Sequence, residues 1–194
     1  MLKLETNNLV EQRLREFKLL NQLDTTYWFS ELCFCILTAN SKAETAIRIQ
    51  QEVGPNGFLG LTDQELAQII RNNKHRFHNN KAKFIVQARE FTDIKSKIKS
   101  LSGTQAREFI VKNIKGLGYK EASHFLRNVG FDDVAIIDRH ILRFMHQQNL
   151  IPSIPKHITI RFYLECEQIL AKFGIELSRL DLIIWEKMTG KVLK

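Results

Sequence analysis

An all-α fold of two helical lobes is what this chain of 194 residues predicts. Three observations carry the prediction. Apolar residues recur at helical spacing almost throughout, and no segment has the two-residue alternation of a half-buried strand. Two segments, Ser41-Lys42-Ala43-Glu44 and Thr62-Asp63-Gln64-Glu65, have the form of a capping box, in which a hydroxyl and a carboxylate each satisfy an orphan amide at a helix start. Near the middle, residues 113–145 read as helix end, tight glycine turn, helix, short loop and helix, a helical hairpin suited to lie by the cleft between two lobes.

Taken in order, Leu9, Leu14, Phe17, Leu20 and Leu23 predict an amphipathic first helix, and residues 26–39, apolar on most sides, a central second one. The two capping boxes begin the next two helices. Between those helices, residues 54–60 (GPNGFLG) read as a turn that Phe58, Leu59 and Leu61 fold onto the core. Residues 74–83 (KHRFHNNKAK) are a basic run with one aromatic, either a solvated loop or a surface on which Phe77 stacks against a nucleobase. Helices over about 81–91, 94–101 and 104–113 return the chain to the hairpin. Beyond it come a helix from Asp138, a loop marked by Pro152 and Pro155, and helices over about 158–173 and 178–188. There is no internal repeat or flexible linker, so residues 1–194 are expected to form one compact domain.

Composition bounds the function. Lys and Arg number 29 against 21 Asp and Glu, a net charge of +8 that favours a polyanionic partner. Cys33, Cys35 and Cys166 are too few for a disulfide framework and sit in apolar helical surroundings, so reduced buried thiols and a cytoplasmic protein are expected. The N-terminal stretch MLKLETNNLVEQRL is charged throughout, and no apolar run approaches the roughly 18 residues of a spanning helix. Neither a signal peptide nor a membrane anchor is expected.

The hairpin carries the chemistry. Gly116 and Gly118 flank Leu117 in a turn that lets backbone amides approach a phosphate at the positive end of the following helix. By itself a G-x-G turn is also a plain helix connector. Here Lys120 follows at once, and eighteen residues later (138 − 120) Asp138 ends the apolar run Val134 to Ile137. A lone lysine at a helix start is ordinarily a surface charge, and an Asp before Arg139, His140 and Ile141 an ordinary N-cap. The combination is more restrictive than either.

With Ile114, Gly116, Leu117, Gly118, Lys120, Ala122 and Asp138, the chain resembles the helix-hairpin-helix DNA glycosylase superfamily, and most its archaeal-type 8-oxoguanine DNA glycosylase/AP lyase branch. The resemblance runs from about residue 32 to 194, with the hairpin motif at about 104–130. It implies a two-lobed helical fold with the active site in the cleft, and a DNA repair enzyme that excises 8-oxoguanine from duplex DNA and then cuts the strand by β-elimination. Lys120 is implied as the nucleophile and Asp138 as the carboxylate that stabilises the cationic sugar and helps to activate Lys120 or position water. An amine attacks only when neutral, so burial and the helix N-terminus are expected to penalise the ammonium of Lys120.

The same resemblance assigns Asn40 to the hole left by the extruded nucleotide, His140 to a backbone phosphate, and Phe77, Trp185 and the terminal Lys194 to the damaged base. On the residues alone, a structural asparagine, a packing histidine and a core tryptophan stay open. Backbone carbonyls of Lys112, Ile114 and Leu117 correspond to a monovalent-cation site, with no side-chain metal ligand. No cofactor is required, and the spacing of an iron–sulfur cluster is absent. Double-stranded DNA containing 8-oxoguanine is the expected partner of a monomer at a prokaryotic nucleoid. The alternatives are a non-catalytic helix-hairpin-helix DNA-binding module and a glycosylase for another lesion.

Overall fold

In a computed structural model, residues 8–194 are described and form eleven α-helices with no strand among them. The expectation for the N-terminal stretch falls in part on residues 1–7, outside the described residues. Helix α1 (Asn8–Gln22) buries Val10, Leu14 and Phe17, which share one face at spacings of four and three residues. The expected stripe was partly misplaced. Leu9 lies a quarter-turn away and Leu23 falls past the helix end, and they are 58% and 41% exposed.

Helix α2 (Thr25–Thr38) is capped by Asp24, which accepts from the Thr26 amide, and is buried continuously from Trp28 to Thr38. Helix α3 (Ala43–Gly60) starts at Lys42 with no side-chain cap, so the capping box expected at Ser41 does not form. The reason is tertiary. The Glu44 carboxylate is drawn to Lys191 Nζ, 3.0 Å away, and hydrogen bonding with its own backbone, then with Lys191, holds its pKa low. The turn expected over 54–60 shrinks to Gly54, whose φ of +67° breaks the helix, and Pro55 opens the next helical stretch. Phe58 is fully buried and Leu59 and Leu61 pack partly buried against the same core, as expected of this stretch.

Helix α4 (Asp63–Asn72) has the Thr62/Glu65 capping box complete. Helix α5 (His78–Ala88) runs into a 3-10 turn (Arg89–Phe91), followed by α6 (Ile94–Ile98). Helix α7 (Gly103–Asn113) opens on a second capping box, Ser102 with Gln105, and α8 (Tyr119–Asn128) follows the glycine turn. The rest is α9 (Arg139–Gln147), α10 (Ile160–Ala171) and α11 (Leu177–Thr189). One hydrophobic cluster surrounds α2 and takes in Ala122, Phe125 and Leu126 of α8. A second is built from α9, α10 and α11, and α1 packs Val10, Leu14 and Phe17 on Leu182 and Ile183 of α11.

The basic run at 74–83 is not a solvated loop throughout. His75 Nε2 lies 2.9 Å from the Leu37 carbonyl and Lys81 Nζ donates to the Ile36 carbonyl at 2.6 Å, so both satisfy orphan acceptors at the end of α2. Burial pushes the pKa of Lys81 down to about 8 and that of His75 below its ordinary value.

A buried polar network joins the two larger clusters. Arg107, fully buried on α7, gives two hydrogen bonds to Glu167 of α10 at 2.6 and 2.8 Å and one to Ser123 Oγ at 3.2 Å. Glu167 also accepts from the Ala135 amide at 2.7 Å, and Tyr163 Oη lies 3.2 Å from the Ile137 amide while donating to the Ala135 carbonyl at 2.7 Å. The approach to Asp138 is held from α10. Removing one partner leaves an uncompensated buried charge, so Glu167→Ala is expected to cost ~3–5 kcal/mol in urea unfolding. An unchanged midpoint would show that water reaches Arg107.

Candidate active site

The hairpin is shaped by one of its two glycines. Gly116 has a φ of +90°, and a Cβ there would lie 2.5 Å from the Phe84 ring. Gly118 needs no such freedom: it is the N-cap of α8 in extended backbone, φ −97°, and a Cβ would meet only Glu121 Oε2 at 3.5 Å. Leu117, 6% exposed, pins the turn to the core. Helix α8 thus starts with its free amides beside the turn.

Beside this helix start lies a cavity of about 480 Å³, within the range of ligand sites. Lys120, Asp138, His140, Trp185 and Lys194 all line it, from α8, the N-cap and first turn of α9, α11 and the tail. Asp138 caps α9, its Oδ1 accepting from the His140 and Ile141 amides at 2.8 and 2.9 Å. Lys120 departs from expectation. Its side chain is 39% exposed and its Nζ lies 3.1 Å from Glu121 Oε1, so the burial foreseen for the amine is absent. The helix turns this side chain toward the open cavity rather than the core.

The wall also holds residues outside the predicted set, among them Glu121, His124, Arg127, Tyr163 and Asp181. His124 and Arg127 lie four and seven residues after Lys120, so an amphipathic helix puts all three on one face, a signal present in the sequence. Arg127 pairs with Asp181 of α11, whose carboxyl burial raises to about 6. That partner was not legible. Desolvation holds His124 well below its ordinary pKa, and its Nε2 and the Trp185 Nε1 are buried atoms with no hydrogen-bond partner among the described residues. The His140 ring meets Trp185 edge-on, centroids 4.7 Å apart.

The tail enters the site. Leu193 and Lys194 line the cavity, and Lys194 Nζ donates to Glu31 Oε2 at 2.8 Å, bonds Gln50, and lies 4.5 Å from the Phe34 ring centroid. Its ammonium is therefore anchored on α2 and α3. Asn40 is exposed just beyond α2 at a φ of +61°, and its neighbours Thr38 and Ser41 line the cavity while it does not. Phe77 also stands outside the wall, at the start of α5 with the Arg76 guanidinium 4.4 Å from its ring centroid. Of the three hairpin carbonyls, that of Ile114 accepts from the Leu117 amide at 3.5 Å. Among the described residues, no group of three or more His, Cys, Asp or Glu is placed to hold a metal ion, and no helix is long and apolar enough to cross a membrane. The three cysteines are free and buried.

Known proteins give this geometry its relatives. Residues 10–179 match the model of a helix-hairpin-helix family described as 8-oxoguanine DNA glycosylase, beginning well before residue 32. The 8-oxoguanine DNA glycosylase/AP lyase of Methanocaldococcus jannaschii is 53% identical over 195 residues, covering 98% of this chain and 94% of its own. The Thermotoga maritima protein of the same name is 46% identical, with the same coverage. A crystal structure of the M. jannaschii enzyme in complex with a 15mer DNA containing 8-oxoguanine superposes with a TM-score of 0.92, covering 96% of this chain and 92% of that one.

Proposed function

The chain belongs to the 8-oxoguanine DNA glycosylase family, and on that premise we propose that it excises 8-oxoguanine from duplex DNA and then cleaves the strand at the abasic site. The observation that carries this reading is one cavity that takes Lys120 from the first turn behind the hairpin and Asp138 from the N-cap of α9. Lys120 attacks the anomeric carbon, the opened sugar becomes an iminium on its nitrogen, and that iminium lowers the barrier to β-elimination of the 3′ phosphate. Asp138, locked by two amides, stabilises the positive charge that develops on the sugar.

Hairpin amides at Gly116 and Gly118, and His140, meet the DNA backbone. Asn40, exposed at the end of α2, fills the space of the extruded nucleotide. Trp185 stacks on the base, with Phe77 brought to its other face from the rim. The hairpin carbonyls of Lys112, Ile114 and Leu117 hold a monovalent cation, and the chemistry needs no cofactor. The protein works as a monomer in the cytoplasm on nucleoid DNA. Borohydride trapping across a panel of lesion duplexes tests the substrate: 8-oxoguanine duplex is expected to give the cross-link, and trapping only on another lesion would overturn the assignment.

The tail Lys191–Lys194 closes over the flipped base, and Lys194, on the cavity wall, sets the distinction between 8-oxoguanine and guanine. 8-Oxoguanine differs by an N7–H donor and an added O8, which polar groups of this tail can read. Residues added after Lys194 are expected to cut lesion excision far more than they weaken binding to abasic-site DNA, while lyase activity on a preformed abasic site persists. Excision at wild-type rate in the extended protein would leave the tail without a role.

A further inference from the structure

We propose that Glu121 is a second catalytic carboxylate, the group that takes the protons Lys120 must lose. The inference rests on Lys120 as the nucleophile. Neighbouring helical residues point about a quarter-turn apart and do not ordinarily face each other. Here they do: Glu121 Oε1 is 3.1 Å from Lys120 Nζ, with the carboxylate only 14% exposed and the amine 39% exposed. Its other oxygen lies over the hairpin turn, 3.5 Å from the position of a Gly118 Cβ. Both side chains line the same cavity.

Asp138 does not stand in this place. Its Oδ1 is committed to two backbone amides, and among the described residues it makes no ion pair with Lys120. The reaction requires the lysine nitrogen to lose two protons between ammonium and iminium. The carboxylate takes the first as the amine forms its bond to C1′ and the glycosidic bond breaks, its electron pair leaving with the purine. That purine is then protonated. The carboxylate takes the second proton from the nitrogen as the C1′–O4′ bond opens to the iminium, and that proton ends on O4′. Two protons leave the nitrogen, one reaches the purine and one the sugar oxygen, and Glu121 ends as it began. A cavity residue that only balanced charge would not need to be at the nitrogen itself.

Lys120 on its own helix, Lys81 from α5 and Cys35 from α2 share its field, and the same cavity is lined by His124 and Arg127 of α8, Asp138, Arg139 and His140 at the start of α9, Asp181 of α11 and Lys194 of the tail. Glu121 itself raises the pKa of Lys81, so Lys81→Arg, which does not titrate in this range, is made in both the wild-type and Glu121-variant backgrounds and the rates are compared as a ratio at each pH. Single-turnover base release from an 8-oxoguanine duplex is measured for Glu121→Gln and Glu121→Asp, with melting curves to check folding. Glu121→Gln is expected to be slower by about 10²-fold near neutral pH, a typical loss for a proton-transfer group. The deficit should shrink as pH rises, because solvent then supplies the neutral amine, and Glu121→Asp should recover part of the rate. Were the glutamine variant not to fold, the aspartate variant would carry the same pH-dependent deficit at smaller size. Wild-type or faster rates, or a deficit of equal size at every pH, would reduce Glu121 to a brace of α8. The dependence on Lys120 is read separately: if Lys120→Gln still traps on an abasic duplex, the nucleophile itself has been misplaced.

Discussion

Lys120→Gln is expected to abolish both base release and borohydride trapping while leaving lesion-DNA binding largely intact. An iminium needs an amine, and a carboxamide nitrogen of similar reach cannot form one. The substitution removes one positive charge from a chain of net charge +8, so affinity, dominated by many phosphate contacts, should fall little. Because the side chain is 39% exposed and lies on the cavity wall, stability should be unaffected, and a melting curve at the wild-type temperature would exclude misfolding as the cause. A cross-link formed by the variant would place the nucleophile on another amine. Lys81, buried under the end of α2 with its pKa lowered to about 8, would be the first to examine.

Asp138→Asn separates two roles that the same carboxylate fills. Asparagine caps a helix about as well as aspartate, and its Oδ1 can still accept from the His140 and Ile141 amides. Folding should therefore survive. What is lost is the negative charge beside the sugar, and one preorganised electrostatic group is worth roughly 3–4 kcal/mol in a water-poor site. At about 1.36 kcal/mol per tenfold, single-turnover base release should slow by about 10²–10³-fold. Unchanged activity would leave Asp138 as a helix cap alone.

Much of the molecule was legible in the linear chain, because local rules sufficed. The hairpin glycine, Lys120 behind it and Asp138 before α9 could be read from order and spacing, since a helix start places its first residues wherever the preceding turn lies. The Thr62/Glu65 box formed for the same reason: its two partners are three residues apart and need nothing else. The Ser41/Glu44 box has the same local form and failed because Lys191, 147 residues away, took the carboxylate. The first helix kept Leu14 and Phe17 on its buried face and lost only the end positions Leu9 and Leu23, since the face that reaches Leu182 and Ile183 is set by α11.

Within the site, the helix period could have added His124 and Arg127 to Lys120, whereas Asp181 opposite Arg127 could be found only in the folded chain. By itself, then, the sequence determined the helical class and the hairpin, both consequences of interactions within one or two turns of chain, while Lys120 and Asp138 were singled out by their resemblance to a family motif. Tertiary structure alone decided the burial and charge environment of the site: that Lys120 opens to the cavity against Glu121, that Lys81 is buried under the end of α2, and that Lys194 is tethered to Glu31. Desolvation and ion pairing depend on which distant segments meet, and no spacing along the chain encodes that.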